Sequence, residues 1–204
     1  MASWNAVPEI SGLLEWAPAL TCMSSSGDLA FNTGPFTFRP SAGDTISGSG
    51  HFNTIWLKNK NGEWKFLADL GADTRNTSLQ TIEPRIIMGL TPDTSSRTIG
   101  TLEAELNMAL AKSGNQTYTA FLRPDSWFNI DGLPALTSET AILAALDQIP
   151  ETVKYTSVKS GLSIAKDLGY VYGYAEVNGR KENFLRVWGH TANGWKILLQ
   201  VLKS

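Results

Sequence analysis

The chain has 204 residues, of which 42% are hydrophobic and 18% charged, and its formal net charge is −2. That length suits one large domain or two modest ones with a real core, and the scattered lysines and arginines exclude the basic face that a nucleic acid or a membrane surface needs. No apolar run reaches transmembrane length, and the single cysteine, Cys22, excludes an internal disulfide and reads as an inert buried thiol.

In chain order, "MASWNAVPEI" has neither the charged start nor the apolar stretch of a signal peptide. Residues 14–36 and 51–70 read as strands, with an Asn-Gly turn at 61–62 ahead of the last one. The segment 71–98 carries Ile82, Ile86, Ile87, Met88 and Leu90, which is too apolar for a free tether. It either packs on the first sheet or forms a structured linker. "TIGTLEAELNMALAKSG" (98–114) puts Ile99, Leu102, Leu106, Ala109 and Leu110 on one helical face and stops at Gly114. "NQTYTAFLRP" (115–124) predicts a short second helix ended by Pro124, and "DSWFNIDGLPAL" a short strand and turn. "TSETAILAALDQIP" predicts a helix capped by Thr137, with Ile142, Leu143, Leu146 and Ile149 inward and Pro150 as its stop. "LGYVYGYAEV" and "NFLRVWGH" alternate like strands, and a second Asn-Gly turn precedes "WKILLQVL".

The two strand regions repeat one another. Residues 14–36 lie over 153–175 without a gap, pairing Trp16 with Tyr155, Asp28 with Asp167, Leu29 with Leu168, Phe31 with Tyr170 and Gly34 with Gly173. Downstream, Phe52 falls on Phe184, Trp56 on Trp188, Trp64 on Trp195 and Asp69 on Gln200, while "VPE" (7–9) echoes "IPE" (149–151). Each copy reads as a four-stranded antiparallel meander with one face buried. Only the second copy has helices in front of its strands, so the first is expected to begin inside its last helix.

Helix, short helix, "FLRPDSWFNIDGLPALTSETAILAAL" and four strands ending "NGWKILL" resemble the nuclear transport factor 2-like superfamily, in particular its SnoaL-like and uncharacterised stand-alone domains. The resemblance covers residues 98–203 fully and 7–71 in part. It implies an α+β fold of tandem cone-shaped units, each a curved antiparallel sheet packed on helices, the first lacking most of its helices. The expected division is a partial unit at 1–71, a linker at 72–97 and a complete unit at 98–204. Members include ketosteroid isomerase, scytalone dehydratase, polyketide cyclases, transport factors and kinase-association hubs, so the fold does not fix a function. "YTAFLRPDSWFN" (118–129) and "LRVWGHTANGWK" (185–196) are also similar to the association domain of calcium/calmodulin-dependent kinase II. There the residues matching Tyr118 and Arg186, and an acidic residue near Asn129, face the pocket. This chain departs at Asn129 and has Tyr174 where a pocket arginine stands, so hub assembly is not implied.

Strand parity places Phe184, Arg186, Trp188 and His190 on the pocket face and Leu185 and Val187 outside. On the last strand it groups Lys196, Leu198, Gln200 and Leu202 against Trp195, Ile197, Leu199 and Val201, and the resemblance favours the Gln200 face as pocket-lining. Arg186 between Phe184 and Trp188 offers a fixed fork for a carboxylate within apolar walls; the competing reading pairs it with Glu182 or Glu176. The ligand-binding candidates are thus Tyr118, Trp127, Asn129, Tyr174, Arg186, Trp188 and Gln200. Asp69 would act as a general base in a closed, dry pocket, against a hydrogen bond to Arg75 or to backbone, and Asp131 is the second catalytic candidate, although "IDG" reads as a turn. Gln200, at the position of Asp69, carries no proton to give at neutral pH.

His51 and His190 are the only histidines, and no cluster has metal-ligand spacing, so neither metal nor other cofactor is expected. The leading expectation is a non-enzymatic small-molecule binder whose second unit holds the pocket, with a small carboxylate as the ligand considered. The alternatives are an enzyme of the isomerase, dehydratase or cyclase kind, with Tyr118, Tyr172 and Tyr174 as oxyanion donors, and a structural or assembly module. An internal pseudo-dimer of the two copies, or a homodimer, is expected of outer sheet faces that pair. The compartment is unknown from the sequence, with the cytoplasm as the default.

Overall fold

The computed structural model describes residues 12–74, 82–147, 149, 153–177 and 179–203. The first sheet comprises β1 (Leu13–Trp16), β2 (Leu20–Met23), β3 (Leu29–Arg39), β4 (Gly48–Lys58), β5 (Trp64–Asp69), β6 (Ala72–Asp73) and β7 (Arg85–Ile86). Its order is β5-β4-β3-β2-β7, with β1 also on β3 and β6 on β4. After it come α1 (Ile99–Ser113), a 3-10 helix (Gly114–Ala120), β8 (Trp127–Ile130) and α2 (Glu139–Leu146). The chain then forms β9 (Lys154–Leu162), β10 (Leu168–Val177), β11 (Arg180–Thr191) and β12 (Gly194–Leu202), in a second sheet ordered β8-β12-β11-β10-β9. Among the described residues all pairings are antiparallel except β2 with β7 and β12 with β8. The class is α+β.

The meanders form where hydrophobic alternation meets tight turns: Gly62 and Gly194 take φ of 80° and 84°, the left-handed conformation that glycine adopts without steric cost. Thr98 caps α1 in a reciprocal box with Thr101, and Gly114 ends the helix. Its stripe of Ile99, Leu102, Leu106 and Leu110 packs with Val171, Phe184, Trp188 and Ile197 in one core, each such burial contributing about 1.5–3 kcal/mol. Ser138, one residue after the expected Thr137, caps α2 because its hydroxyl accepts from Ala141 N. The expected short second helix is the 3-10 turn and stops at Ala120, ahead of Pro124. The stop proposed at Pro150, residues 150–151 of the echo of residues 7–9 and the start of the chain lie outside the described residues.

The other face of the second sheet packs on the first. Leu20, Cys22, Leu29, Phe31 and Ile55 meet Leu168, Tyr170, Leu185, Val187, Leu199 and Val201 in a second buried core. In the 71–98 segment Ile87, Ile82 and Leu90 pack on this core, whereas Ile86 and Met88 are exposed. Cys22 lies within the core, and burial pushes its thiol up to about 12, which keeps it unreactive.

The two sheets share detailed features at the positions aligned in the sequence. Ser24 Oγ donates to Asp28 Oδ1 at 3.0 Å and Ser163 Oγ to Asp167 Oδ1 at 2.8 Å, so both turns are built alike. Each turn then reaches across to the other: Ser25 N donates to Asp167 Oδ2 at 2.8 Å and Ile164 N to Asp28 Oδ2 at 3.0 Å. Such reciprocity is the geometry of a two-fold contact. Trp16 with Phe52 and Tyr155 with Phe184 form matching edge-to-face pairs, with centroids 5.2 and 5.0 Å apart.

One parity expectation fails. The β11–β12 register shifts between Val187 and Trp188, so Leu198 is the extra residue of a bulge. Trp195 and Ile197 therefore join Gln200 and Leu202 on the helix side, and Leu198 joins Leu199 and Val201 in the inter-sheet core. The β4–β5 pair shifts at the matching place, between Ile55 and Trp56.

Candidate functional site

Between the second sheet and α1 lies a buried polar network. Arg186, on β11, is wholly inaccessible; its Nη1 donates to Glu103 Oε2 of α1 at 2.5 Å and its Nε to Gln200 Oε1 at 2.8 Å. Trp188 Nε1 donates to the other carboxylate oxygen of Glu103 at 2.7 Å. Gln200 Nε2 donates to the hydroxyls of Tyr155 at 3.2 Å and Tyr118 at 3.3 Å, and Tyr118 OH donates to Tyr155 OH at 3.2 Å. The guanidinium carbon stands 4.5 Å from the centre of the Tyr155 ring, within cation–π range. Burial alone would lower the Arg186 pKa, but the Glu103 charge beside it holds the guanidinium well above its ordinary range. Burial likewise pushes the Tyr155 phenol well up, so it stays protonated. Nη2 of Arg186 has no hydrogen-bond partner among the described residues.

The sequence thus brings four of its candidates together: Tyr118, Arg186, Trp188 and Gln200. Three others sit elsewhere. Trp127 and Asn129 alternate with Phe128 and Ile130 on β8, and that parity turns them away from α1 toward the first sheet. Trp127 Nε1 donates to Asn129 Oδ1 at 2.9 Å, and Asn129 Nδ2 donates to Asn53 Oδ1 and Thr33 Oγ1 at 2.6 and 3.0 Å. They form the polar centre of the inter-sheet contact, not a pocket wall. Tyr174 shares the outer parity of Tyr170 and Tyr172 and is exposed, with Lys181 Nζ 3.8 Å from its ring centre.

The partner of Arg186 is neither Glu182 nor Glu176 but Glu103. Glu103 falls four residues after Ile99 and three before Leu106, inside the apolar stripe of α1, and that misplaced charge was the available signal. A charge at such a position needs a partner when buried.

Of the acidic candidates, Asp131 is held at the β8 turn, where Asp73 N donates to it at 2.9 Å and Lys203 Nζ lies 3.7 Å away. Asp69 accepts from Thr54 Oγ1 at 2.9 Å on the first-sheet face that carries no α1. Burial of part of its surface raises its carboxyl above the ordinary range, against the hydrogen bond from Thr54; the residue is otherwise exposed, so solvent screens the effect. Arg75, its expected partner, lies outside the described residues. Neither aspartate belongs to the Arg186 network. A crevice of about 310 Å³ lies at the sheet junction, lined among others by Leu67, Asp69, Leu70, Tyr172, Asn183 and Leu185; Glu103, Arg186 and Gln200 do not border it. Among the described residues no three His, Cys, Asp or Glu side chains are grouped to hold a metal ion, and no helix is long and apolar enough to cross a membrane.

No family model matches the chain. No curated protein matches it. Solved structures to which it is similar include an NTF-2 like protein of unknown function from Shewanella oneidensis MR-1, with a TM-score of 0.44, 13% identity and coverage of 52% of this chain and 96% of that one. A cystatin-like protein of unknown function from Nostoc punctiforme is similar with a TM-score of 0.43 and 14% identity, over 57% of this chain and 94% of its own. A chain from Parabacteroides distasonis with a provisional ketosteroid isomerase assignment is similar with a TM-score of 0.43 and 13% identity, over 56% of this chain and 94% of its own.

Proposed function

We propose that the second unit is a non-enzymatic module that binds a small molecule through a hydrogen-bond acceptor, a carboxylate or carbonyl, at Nη2 of Arg186. One observation carries this reading: a fully buried guanidinium with Nε and Nη1 engaged and Nη2 without a partner among the described residues. A buried donor left unsatisfied costs roughly 1–3 kcal/mol, which an accepting occupant would recover. Glu103 neutralises the charge, so shape and hydrogen bonding, rather than net attraction, select the ligand. Catalysis is disfavoured because Gln200 does not titrate and each oxygen of Glu103 already accepts a hydrogen bond.

The test is a thermal-shift titration with acetate, pyruvate and benzoate. The comparison protein is Glu103→Leu/Arg186→Met, in which both buried charges go together and no ion is left unpaired. At ten times Kd, binding adds about 1.4 kcal/mol, or roughly 3–6 °C, to the wild-type midpoint. The double variant is expected not to respond. Equal responses, or no wild-type response to any of the three, would sink the proposal.

A structural role is the second reading, and the reciprocal Asp28 and Asp167 hydrogen bonds between the sheets favour it. Under that reading the two units act as an internal pseudo-dimer.

A further inference from the structure

The face of the first sheet that points away from the second carries Leu14, Trp16, Met23, Phe52 and Trp56. Leu14, Trp16 and Met23 are each more than half exposed, and Trp16 reaches 56%. Apolar side chains gathered on one sheet face are the kind of surface that a partner can cover. The same chain provides the template for what covers it. On the second sheet the matching face carries Tyr155, Phe184 and Trp188, equally arranged, and there α1 buries it with Ile99, Leu102, Leu106 and Leu110. The bulge that shapes β12 under α1 recurs at Ile55 and Trp56. A sheet face with the same ring pair and the same bulge presents the same groove to a helix.

The polar positions differ in a way that defines the helix. In the second unit Arg186 and the Trp188 indole are both answered by Glu103 of α1. In the first unit Thr54 stands where Arg186 does, and Trp56 Nε1 is already satisfied within the sheet by Asn32 Oδ1 at 2.9 Å. Asp69 replaces Gln200, and among the described residues Thr54 donates to Oδ2 of its carboxylate. The groove therefore offers a negative charge where the second unit offers a positive one, and a carboxylate at the centre of the helix would be repelled.

We propose that this face docks an amphipathic helix of a partner protein, with an apolar stripe like that of α1 and a lysine or arginine in the position of Glu103, opposite Asp69. The probe is a labelled peptide of residues 98–114, unaltered or carrying Glu103→Lys, titrated by fluorescence anisotropy into the intact protein. The Glu103→Lys peptide is expected to bind roughly tenfold more tightly than the unaltered one, the size of effect a close charge pair supplies. Asp69→Lys in the protein should invert that preference, and Trp16→Glu, a change at an exposed position, should abolish binding of both. Two results would overturn the proposal: no binding of the Glu103→Lys peptide, or a preference indifferent to Asp69→Lys. A concentration-dependent dimer that Trp16→Glu dissolves would also overturn it, because the occupant would then be a second copy of this chain.

Discussion

His51 lies on β4 with 3% of its surface exposed, and its Nε2 has no partner among the described residues. Burial pushes its pKa down to about 4, because the cation would lose its hydration. The unfolded chain takes up the proton near pH 6.5 and the folded chain only near 4, so stability is full above 6.5 and falls as the pH drops through that window. Between pH 7 and pH 5 the loss is about 2 kcal/mol. Urea midpoints measured at both pH values should show it in the wild type and not in His51→Leu; equal slopes would show that His51 is solvated. At this scale the sequence was legible where a residue type and a strand parity agreed, as for Arg186 and Trp188, while the face of Gln200 came from the resemblance. It was illegible for Glu103, because a helical stripe is read by its apolar members and a single charge within it is passed over. Trp127 and Asn129 were misread because four residues of β8 do not reveal which of two buried faces each side chain serves.

Gly34 and Gly173 explain a property of the strands that alternation does not predict. β1 and β2 are interrupted at Ala17–Ala19, and the β9–β10 register shifts at the matching place, between Tyr172 and Gly173. There the neighbouring backbone moves so close that a Cβ at Gly34 would run into Ala17 O and lie 2.8 Å from Ala19 N. A Cβ at Gly173 would run into Thr156 O and lie 2.9 Å from Val158 N. Neither neighbour is a side chain that can rotate away. Gly173→Ala is expected to cost roughly 1–3 kcal/mol or more, as overpacking does, while Gly71→Ala, with nothing within 4 Å of the added carbon, should be close to neutral on that account. Chemical denaturation of the two variants compares them directly. The strands themselves were legible from period-two patterning and Asn-Gly turns, and the helices from their stripes and caps. The bulge at Leu198 was not, since an inserted residue in a run of aliphatic side chains leaves no mark in the pattern. It reversed the assignment of Trp195, Ile197 and Leu198.

At the scale of the molecule, the aligned positions in the sequence are the ones that meet or match in space: Asp28 with Asp167 across the sheets, and Trp16–Phe52 beside Tyr155–Phe184. The two-sheet layout was therefore legible from the repeat, and the α+β class from the resemblance that the helices and strands carry. The way the sheets combine was less so, because it depends on Asn53, Asn129 and Thr33 finding one another over long separations in sequence. The reciprocal contact also has a kinetic meaning. Two separate chains joined through such faces would associate in a second-order step and fall apart on dilution. Here one covalent thread holds the halves at an effective concentration of the order of millimolar, so docking is first order. The denaturation midpoint should accordingly be the same at 1 and 100 times a given protein concentration. A protease site inserted after the exposed Met88 and then cleaved should make that midpoint rise with concentration, as for a dimer. A midpoint that stays concentration-independent after the cut would mean that either half stands without the other.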